Sequence, residues 1–292
     1  MSRGFSTVHP TVCFLYYLLL FALLMLAFHP VILFIAFISG VWLAALQGQG
    51  GSIRGTLRFC LLPSGIVIVV HSVFFNVGST PLFAIGGKPI MLEAITYGIT
   101  MSLALIVLFV WFLSYNQTMT AERFLCMAAP LLPQVALVTM ISLRFVPLLK
   151  ERLHQLVLIQ KLRGLDVYDG SMVKRAKAGA QLLHALFSWS LQEALETADS
   201  MKARGYGVTK RSTYISWSMT RQDWLVLVYM IVTGGGGAWC WLIGGHGQTA
   251  YERMIRVGWT IAEWGSIVLL VLFLCIPLVI ELKERWQWHC WK

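Results

Sequence analysis

Charged residues are scarce in this sequence, making up 12% of its 292 residues, while 58% of the residues are hydrophobic. A soluble domain carries roughly 25% charged residues and about 45–50% apolar ones. With so few charges, the chain cannot cover a globular surface with polar side chains, which excludes a water-soluble globule and a disordered regulator. A membrane protein is the class that remains.

Clustered cysteines and catalytic signatures are also lacking. The six cysteines lie far apart and no two have CxxC spacing, so they do not form a disulfide framework or a typical metal site. The sequence contains no HExxH, no GxSxG and no Walker A loop, and its seven histidines are scattered. We therefore expect no catalytic residues, no metal site and no bound cofactor, which makes a membrane-embedded enzyme the weaker alternative.

Long hydrophobic runs are what the chain has in abundance. Six of them approach or exceed the ~20 residues that a helix needs to cross a hydrocarbon core of ~30 Å. The runs cover residues 11–28, 31–46, 57–75, 96–115, 224–243 and 259–282. Pro30, Pro63 and Pro277 are expected to mark turns or kinks. Four glycines at 234–237 interrupt the fifth run and favour close helix packing over a ligand-binding break.

The positive charges are sorted by loop. Of the 23 Lys and Arg residues, all but Lys88, Arg253 and Arg256 fall at the two termini, between runs two and three, at the start of run three (Arg58), or between runs four and five. Because cytoplasmic loops carry the excess of Lys and Arg, both termini and the segment after run four are predicted to be cytoplasmic. The net charge of +10 reflects this sorting and does not indicate a nucleic-acid partner.

The predicted fold is an all-α membrane protein with about six transmembrane helices and two long amphipathic cytoplasmic helices. Residues 1–115 and 213–292 form the transmembrane parts, and residues 116–212 form the cytoplasmic segment. In that segment a helical pattern opens at Thr120, and apolar residues then recur every three to four positions, with a kink expected at Pro147. A second helix follows the 169–171 turn. Its apolar stripe includes Leu183, Phe187, Leu191, Ala194 and Met201.

Both cytoplasmic helices end in the same way, with basic residues followed by glycine. The motif residues are Leu162, Arg163 and Gly164 in the first helix and Ala203, Arg204 and Gly205 in the second. Glycine past a helix end and cations in the last turn are an ordinary C-cap, and that interpretation is sufficient for either motif alone. Two such ends in one segment favour a second interpretation, in which each arginine enters a groove of another protein and pairs with a carboxylate.

These residues carry a resemblance to a known family. The stretches concerned are 76–83 with Gly86-Gly87, residues 143–147 entering the first long helix, and the two motifs. In them the chain resembles the transmembrane T component of energy-coupling factor (ECF) transporters, the ABC-type vitamin and metal-ion importers of prokaryotes. The second motif, 201–207, matches the family pattern fully. The first departs from it, because Leu162 stands where the family usually has alanine.

The resemblance implies a non-catalytic subunit of the prokaryotic cell membrane. In the family the two long helices are coupling helices whose arginine tips bind two ABC-type ATPase subunits, identical or paired, which bind the ATP. The apolar faces hold a small membrane protein, the S component, which captures the substrate. The family thus assigns Arg163 and Arg204 to ATPase binding, and the apolar stripe to the S component.

A self-contained secondary carrier or channel is the main alternative. Such proteins usually carry ionisable residues deep within their helices or paired internal repeats. The sequence shows no convincing repeat of the runs, and Glu263 is predicted to be the only acid near a run, at the membrane interface. The resemblance to a coupling subunit is therefore the preferred interpretation, with the transported substrate left open.

Overall fold

The computed structural model describes residues 4–74, 81–85, 88–163, 171–208, 219–244 and 260–290. A short 3-10 helix at Phe5–Thr7 precedes the longer helices. These are α1 Pro10–Leu26, α2 Pro30–Leu46, α3 Gly50–Phe74, α4 Leu92–Thr118, α5 Ala121–Ala128, α6 Pro133–Leu162, α7 Met172–Ala203, α8 Arg221–Gly244 and α9 Ile261–Cys290. All six apolar runs are therefore helices, as predicted.

Among the described residues, five helices are long and apolar enough to cross a membrane: α3, α4, α6, α8 and α9. The first two runs form the shorter apolar helices α1 and α2, of 17 residues each. The sequence pattern assigns α6 to the cytoplasmic segment, yet α6 also meets the criteria for a span. The reason is that only Arg144 interrupts the uncharged first half of α6, up to Leu149. The architecture is that of an all-α membrane protein.

Contacts between residues divide the chain into two compact units. The first unit comprises Met1–Phe124 together with Ser218–Lys292, and the second comprises Leu125–Trp217. Thus the chain leaves the first unit within α5 and returns to it shortly before α8. The first unit holds α1 to α4, α8 and α9, and the second holds α6 and α7.

Helix α1 lies at the centre of the first unit, in contact with α4 and α8. It is apolar around its whole circumference, and it is buried on one side only, since Leu18 and Met25 are 51% and 52% exposed. Tyr16 and Tyr17 are each 1% exposed. The ring of Tyr16 stacks on Phe273 of α9 with 4.8 Å between centroids, and the Tyr17 hydroxyl lies 2.8 Å from the hydroxyl of Ser114 on α4. Aromatic and hydroxyl contacts therefore fix α1 between its neighbours.

The glycines at 234–237 lie within α8, so they do not interrupt that helix as the sequence suggested. They do serve close packing. A Cβ atom at Gly234 would lie 2.7 Å from Cδ2 of Leu19, and one at Gly237 would lie 3.4 Å from Cγ of Leu270. Small residues at these positions let α8 approach α1 and α9, in agreement with the packing interpretation.

Three local predictions need correction. The helical pattern that opens at Thr120 belongs to the separate helix α5, and α6 begins at Pro133, where a missing N–H costs nothing at the first turn of a helix. Pro63 and Pro277 lie inside α3 and α9, so of the expected turn or kink the turn is excluded and the kink stays a prediction. Lys88 and Pro89, which lie between the third and fourth apolar runs, begin a strand that the sequence pattern did not predict.

That strand belongs to a small antiparallel hairpin, which the sequence did not indicate. Strand β1, Pro81–Ile85, pairs with β2, Lys88–Met91, and Ile85 lies opposite Lys88. Residues 76–80 and 86–87, part of the stretches that carry the family resemblance, lie outside the described residues.

Candidate functional site: the tips and outer face of the two long helices

The second tip, at the end of α7, has a complete glycine cap. The N–H of Gly205 donates to the carbonyl of Lys202 at 2.9 Å, and the N–H of Tyr206 donates to the carbonyl of Met201 at 3.0 Å. These two bonds define a Schellman motif, which needs a left-handed residue just past the helix. Gly205 supplies it with φ of +81°. Arg204, the C-cap residue, is therefore held at a backbone position fixed by hydrogen bonds on both sides.

The first tip, at the end of α6, is partly described. Arg163 is again the C-cap residue, and its N–H donates to the carbonyls of Ile159 at 3.2 Å and Gln160 at 3.1 Å. Leu162, in the motif position where it departs from the family, is 89% exposed. Gly164, the third motif residue, lies outside the described residues. The predicted helix end at Arg163 agrees with the structure, while the glycine cap there stays a prediction.

Arg163, Ala203 and Arg204 are exposed, whereas Gly205 is half-buried. Within the described part of the chain, neither guanidinium has a hydrogen-bond or ion-pair partner. Positive charge at a helix C-terminus is favourable, because it complements the partial negative charge of the last carbonyls. Each arginine can therefore present its five N–H donors outward without breaking a contact of its own helix, as binding to a carboxylate on another protein requires.

The predicted apolar stripe of α7 also faces outward. Leu183, Phe187 and Leu191 are 65%, 64% and 52% exposed, and they recur every four residues along one face. Ala194 on the same side is exposed too, whereas Met201 is half-buried. The buried residue of α7 is Leu182, at 4% exposure, which the predicted stripe did not include. The face available to a partner is thus rich in large apolar side chains.

Helices α6 and α7 contact each other within the second unit. The guanidinium carbon of Arg152 lies 5.4 Å from the ring centroid of Trp189, within the range of a cation–π interaction. Both side chains are half-buried, and one terminal nitrogen of Arg152 donates to Gln155 at 3.0 Å. The sequence pattern did not single out this pair, since arginine and tryptophan on separate helices have no local signature.

Acidic side chains near the apolar helices are more numerous than predicted. Besides Glu263, the structure buries Glu93, Asp223 and Glu281. Asp223 and Glu263 each accept the backbone N–H of the threonine three residues earlier, Thr220 at 2.9 Å and Thr260 at 2.6 Å. This T-x-x-D/E pattern is a helix capping box, so the sequence did contain a signal for two of them. Across the described ranges, no three His, Cys, Asp or Glu residues are arranged to hold a metal ion.

Comparisons with known proteins give a consistent result. A family model described as cobalt transport protein (CbiQ) matches residues 2–215. Several similar proteins carry the name energy-coupling factor transporter transmembrane protein EcfT. The one from Leuconostoc gelidum subsp. gasicomitatum is 30% identical over 174 residues, which cover 56% of this chain and 65% of that protein. The one from Staphylococcus aureus is 30% identical over 177 residues, which cover 57% of this chain and 66% of that protein.

A third EcfT, from Lactobacillus helveticus, is 39% identical over 103 residues, which cover 35% of this chain and 37% of that protein. The matched parts thus span between about a third and two thirds of these relatives.

Proposed function

The chain belongs to the cobalt transport protein family, CbiQ, and on that premise we propose that it is the transmembrane coupling subunit of an ECF-type ABC importer. Its long helices α6 and α7 link ATP hydrolysis by partner ATPases to the uptake of a vitamin or metal ion. The observation that carries the proposal is the pair of helix ends at Arg163 and Arg204, each capped by an exposed arginine without a partner in the described part of the chain.

Each tip binds one ABC-type ATPase subunit. A planar guanidinium pairs with a carboxylate through two parallel hydrogen bonds, which fix the relative orientation of the two groups. Movement of the carboxylate is therefore passed to the helix that carries the arginine. The cap at Gly205 supports this role, because its hydrogen bonds fix the backbone position of Arg204 at the end of α7. The two arginines are transmission contacts, and the hydrolysis of ATP takes place in the partner subunits.

The outer face of α7 binds the S component. Leu183, Phe187 and Leu191 form an exposed apolar stripe, and Ala194 allows close approach of a second helix. A small hydrophobic protein with a matching face can cover this stripe and later leave it. The identity of the transported substrate then resides in that partner and not in this chain.

Both termini and the second unit lie on the cytoplasmic side of a prokaryotic plasma membrane. The support is the sorting of Lys and Arg, all but three of which fall on one side of the predicted spans. This orientation brings both arginine tips to the compartment in which ATP is present.

The test is affinity purification in mild detergent from the native host, with Arg204→Glu beside the unaltered chain. The unaltered chain should bring down two ABC-type ATPases and a small membrane protein. Arg204→Glu should lose the ATPases, because a carboxylate repels the acidic site that the guanidinium binds. Lys177→Glu, a charge reversal at another exposed position of α7, is the matched control and should keep them.

Recovery of the unaltered chain alone would contradict the proposal and favour the self-contained carrier. Retention of the ATPases and full uptake by Arg204→Glu would contradict the role of the tip.

A further inference from the structure

Three charged side chains hold the backbone of the N-terminal segment, residues 4–9. The Asp223 carboxylate accepts the N–H of His9 at 3.0 Å, and the Glu281 carboxylate accepts the N–H of Phe5 at 3.0 Å. A terminal nitrogen of Arg123 donates to the carbonyl of Val8 at 2.6 Å. The three side chains come from α8, α9 and α5, which are far apart in sequence. The segment is therefore tied to three elements at once.

Two of these three side chains lie close to the points where the chain leaves the first unit and returns to it. Arg123 precedes the start of the second unit at Leu125 by two residues, and Asp223 follows its end at Trp217 by six. The backbone groups that they bind belong to the adjacent residues Val8 and His9. One stretch of the N-terminal segment thus joins the outgoing and the returning connection of the second unit.

Each of the two side chains also forms hydrogen bonds at a helix end, Arg123 at the end of α4 and Asp223 at the start of its own helix, α8. The other terminal nitrogen of Arg123 donates to the carbonyl of Thr118 at the end of α4, at 2.6 Å. Asp223 accepts the N–H and the hydroxyl of Thr220 at 2.9 and 2.8 Å, at the start of α8. Arg123 and Asp223 thus each join the N-terminal segment to the end of a membrane helix.

The fit of the segment is tight. A Cβ atom at Gly4 would lie 1.6 Å from Oε2 of Glu281, so a larger residue there would displace that carboxylate. Asp223 is 7% exposed and Val8 is 8% exposed, so water cannot readily replace these bonds. Hydrogen bonds to charged groups are stronger than neutral ones, and their loss in a buried place leaves a polar group unsatisfied.

We infer that Arg123 and Asp223 are positioning residues that pass the motion of the second unit to the membrane helices, with the Val8–His9 backbone as their common anchor. The inference rests on the proposed function, because it requires that ATPases move the second unit. It adds a connection between the second unit and the membrane helices that neither the arginine tips nor the apolar face of α7 supplies. Without the anchor, the two connections can shift independently and the motion is lost before it reaches α4 and α8.

The test uses the complete complex with its ATPases and S component in proteoliposomes. ATP hydrolysis and substrate uptake are measured in the same vesicles for Arg123→Gln and Asp223→Asn. Arg221→Gln and Glu122→Gln are the controls, because they remove like charges from exposed positions beside the same connections. We expect uptake per ATP to fall at least about fivefold in the first two variants, the lower end of a usual coupling energy. Assembly and the melting temperature should match the controls.

Arg123→Lys decides the matter if Arg123→Gln does not assemble. Lysine keeps the charge, but a single ammonium group does not reproduce the planar fork that binds two carbonyls. Uptake per ATP in Arg123→Lys should therefore lie between that of the unaltered complex and that of Arg123→Gln. A ratio equal to that of the unaltered complex in Arg123→Lys and Asp223→Asn would overturn the inference. So would a loss of assembly in step with the loss of uptake in these two variants, because that indicates a purely structural role. An unaltered complex without ATP-dependent uptake would instead overturn the proposed function itself.

Discussion

Helices α1 and α7 are both rich in leucine, yet they place many of their leucines in opposite surroundings. Eight of the 17 residues of α1 are buried, including Leu20 at 1% exposure. In the 32 residues of α7 the buried residue is Leu182, while Leu183, Phe187 and Leu191 remain more than half exposed. The apolar residues of α1 stabilise this chain, whereas those of α7 are available to another protein. Hydrophobicity alone does not tell the two roles apart.

Replacing a leucine by alanine in each helix should give the largest difference between these two roles. Leu20→Ala should destabilise the chain by about 2–5 kcal/mol, because it opens a cavity in a packed interior. Leu183→Ala should change the stability by less than about 0.5 kcal/mol, as exposed positions usually do, but should weaken capture of the S component. Thermal unfolding in detergent measures the first effect and co-purification of the small membrane protein measures the second.

Leu182→Ala is the control within α7, since this neighbour of Leu183 is buried. It should lower the melting temperature. Equal effects at positions 182 and 183 would show that the outer face of α7 is not a separate surface.

Substitutions that add volume also test how tightly the interior is packed. Gly234→Leu should destabilise the chain by about 1–3 kcal/mol through overpacking, since the new side chain meets Leu19. Gly235→Leu is the matched control, because nothing lies within 4 Å of a Cβ atom at Gly235. Thermal unfolding of both variants gives the answer, and an equally stable Gly234→Leu would contradict the close approach of α8 to α1.

The smallest expected difference is the one between the two tips. Arg204→Ala should weaken ATPase binding more than Arg163→Ala, by about tenfold, or about 1.4 kcal/mol. The reason is that Leu162 replaces the small residue that the family usually has beside the arginine, which leaves a looser contact. Titration of the purified ATPases onto the two variants measures the difference, and the reverse order would overturn the argument from Leu162.

Features with a local cause could be predicted from the sequence. An apolar run of about 20 residues is helical wherever it lies in the membrane, and glycine after a basic turn ends a helix by backbone geometry alone. For this reason the six apolar helices, and the helix ends at Arg163 and Arg204, agree with the structure.

Features that depend on distant residues could not be predicted. The bond between His9 and Asp223 joins residues 214 positions apart, and no local pattern announces it. The choice of Leu182 as the buried residue of α7 likewise depends on what packs against that helix. The break between α5 and α6 shows a third limit, since the periodicity of apolar residues continued across it and hid the helix start at Pro133.

Site-specific photo-cross-linking tests the central claim most directly. An aromatic photoreactive residue replaces Tyr206 beside the second tip, Phe187 on the outer face of α7, or Trp239, which is 66% exposed on α8. The account predicts a cross-link to an ABC-type ATPase from position 206, to a small membrane protein from position 187, and to neither from position 239. Irradiated membranes in which position 206 yields no ATPase adduct, while the complex carries out ATP-dependent uptake, would contradict it.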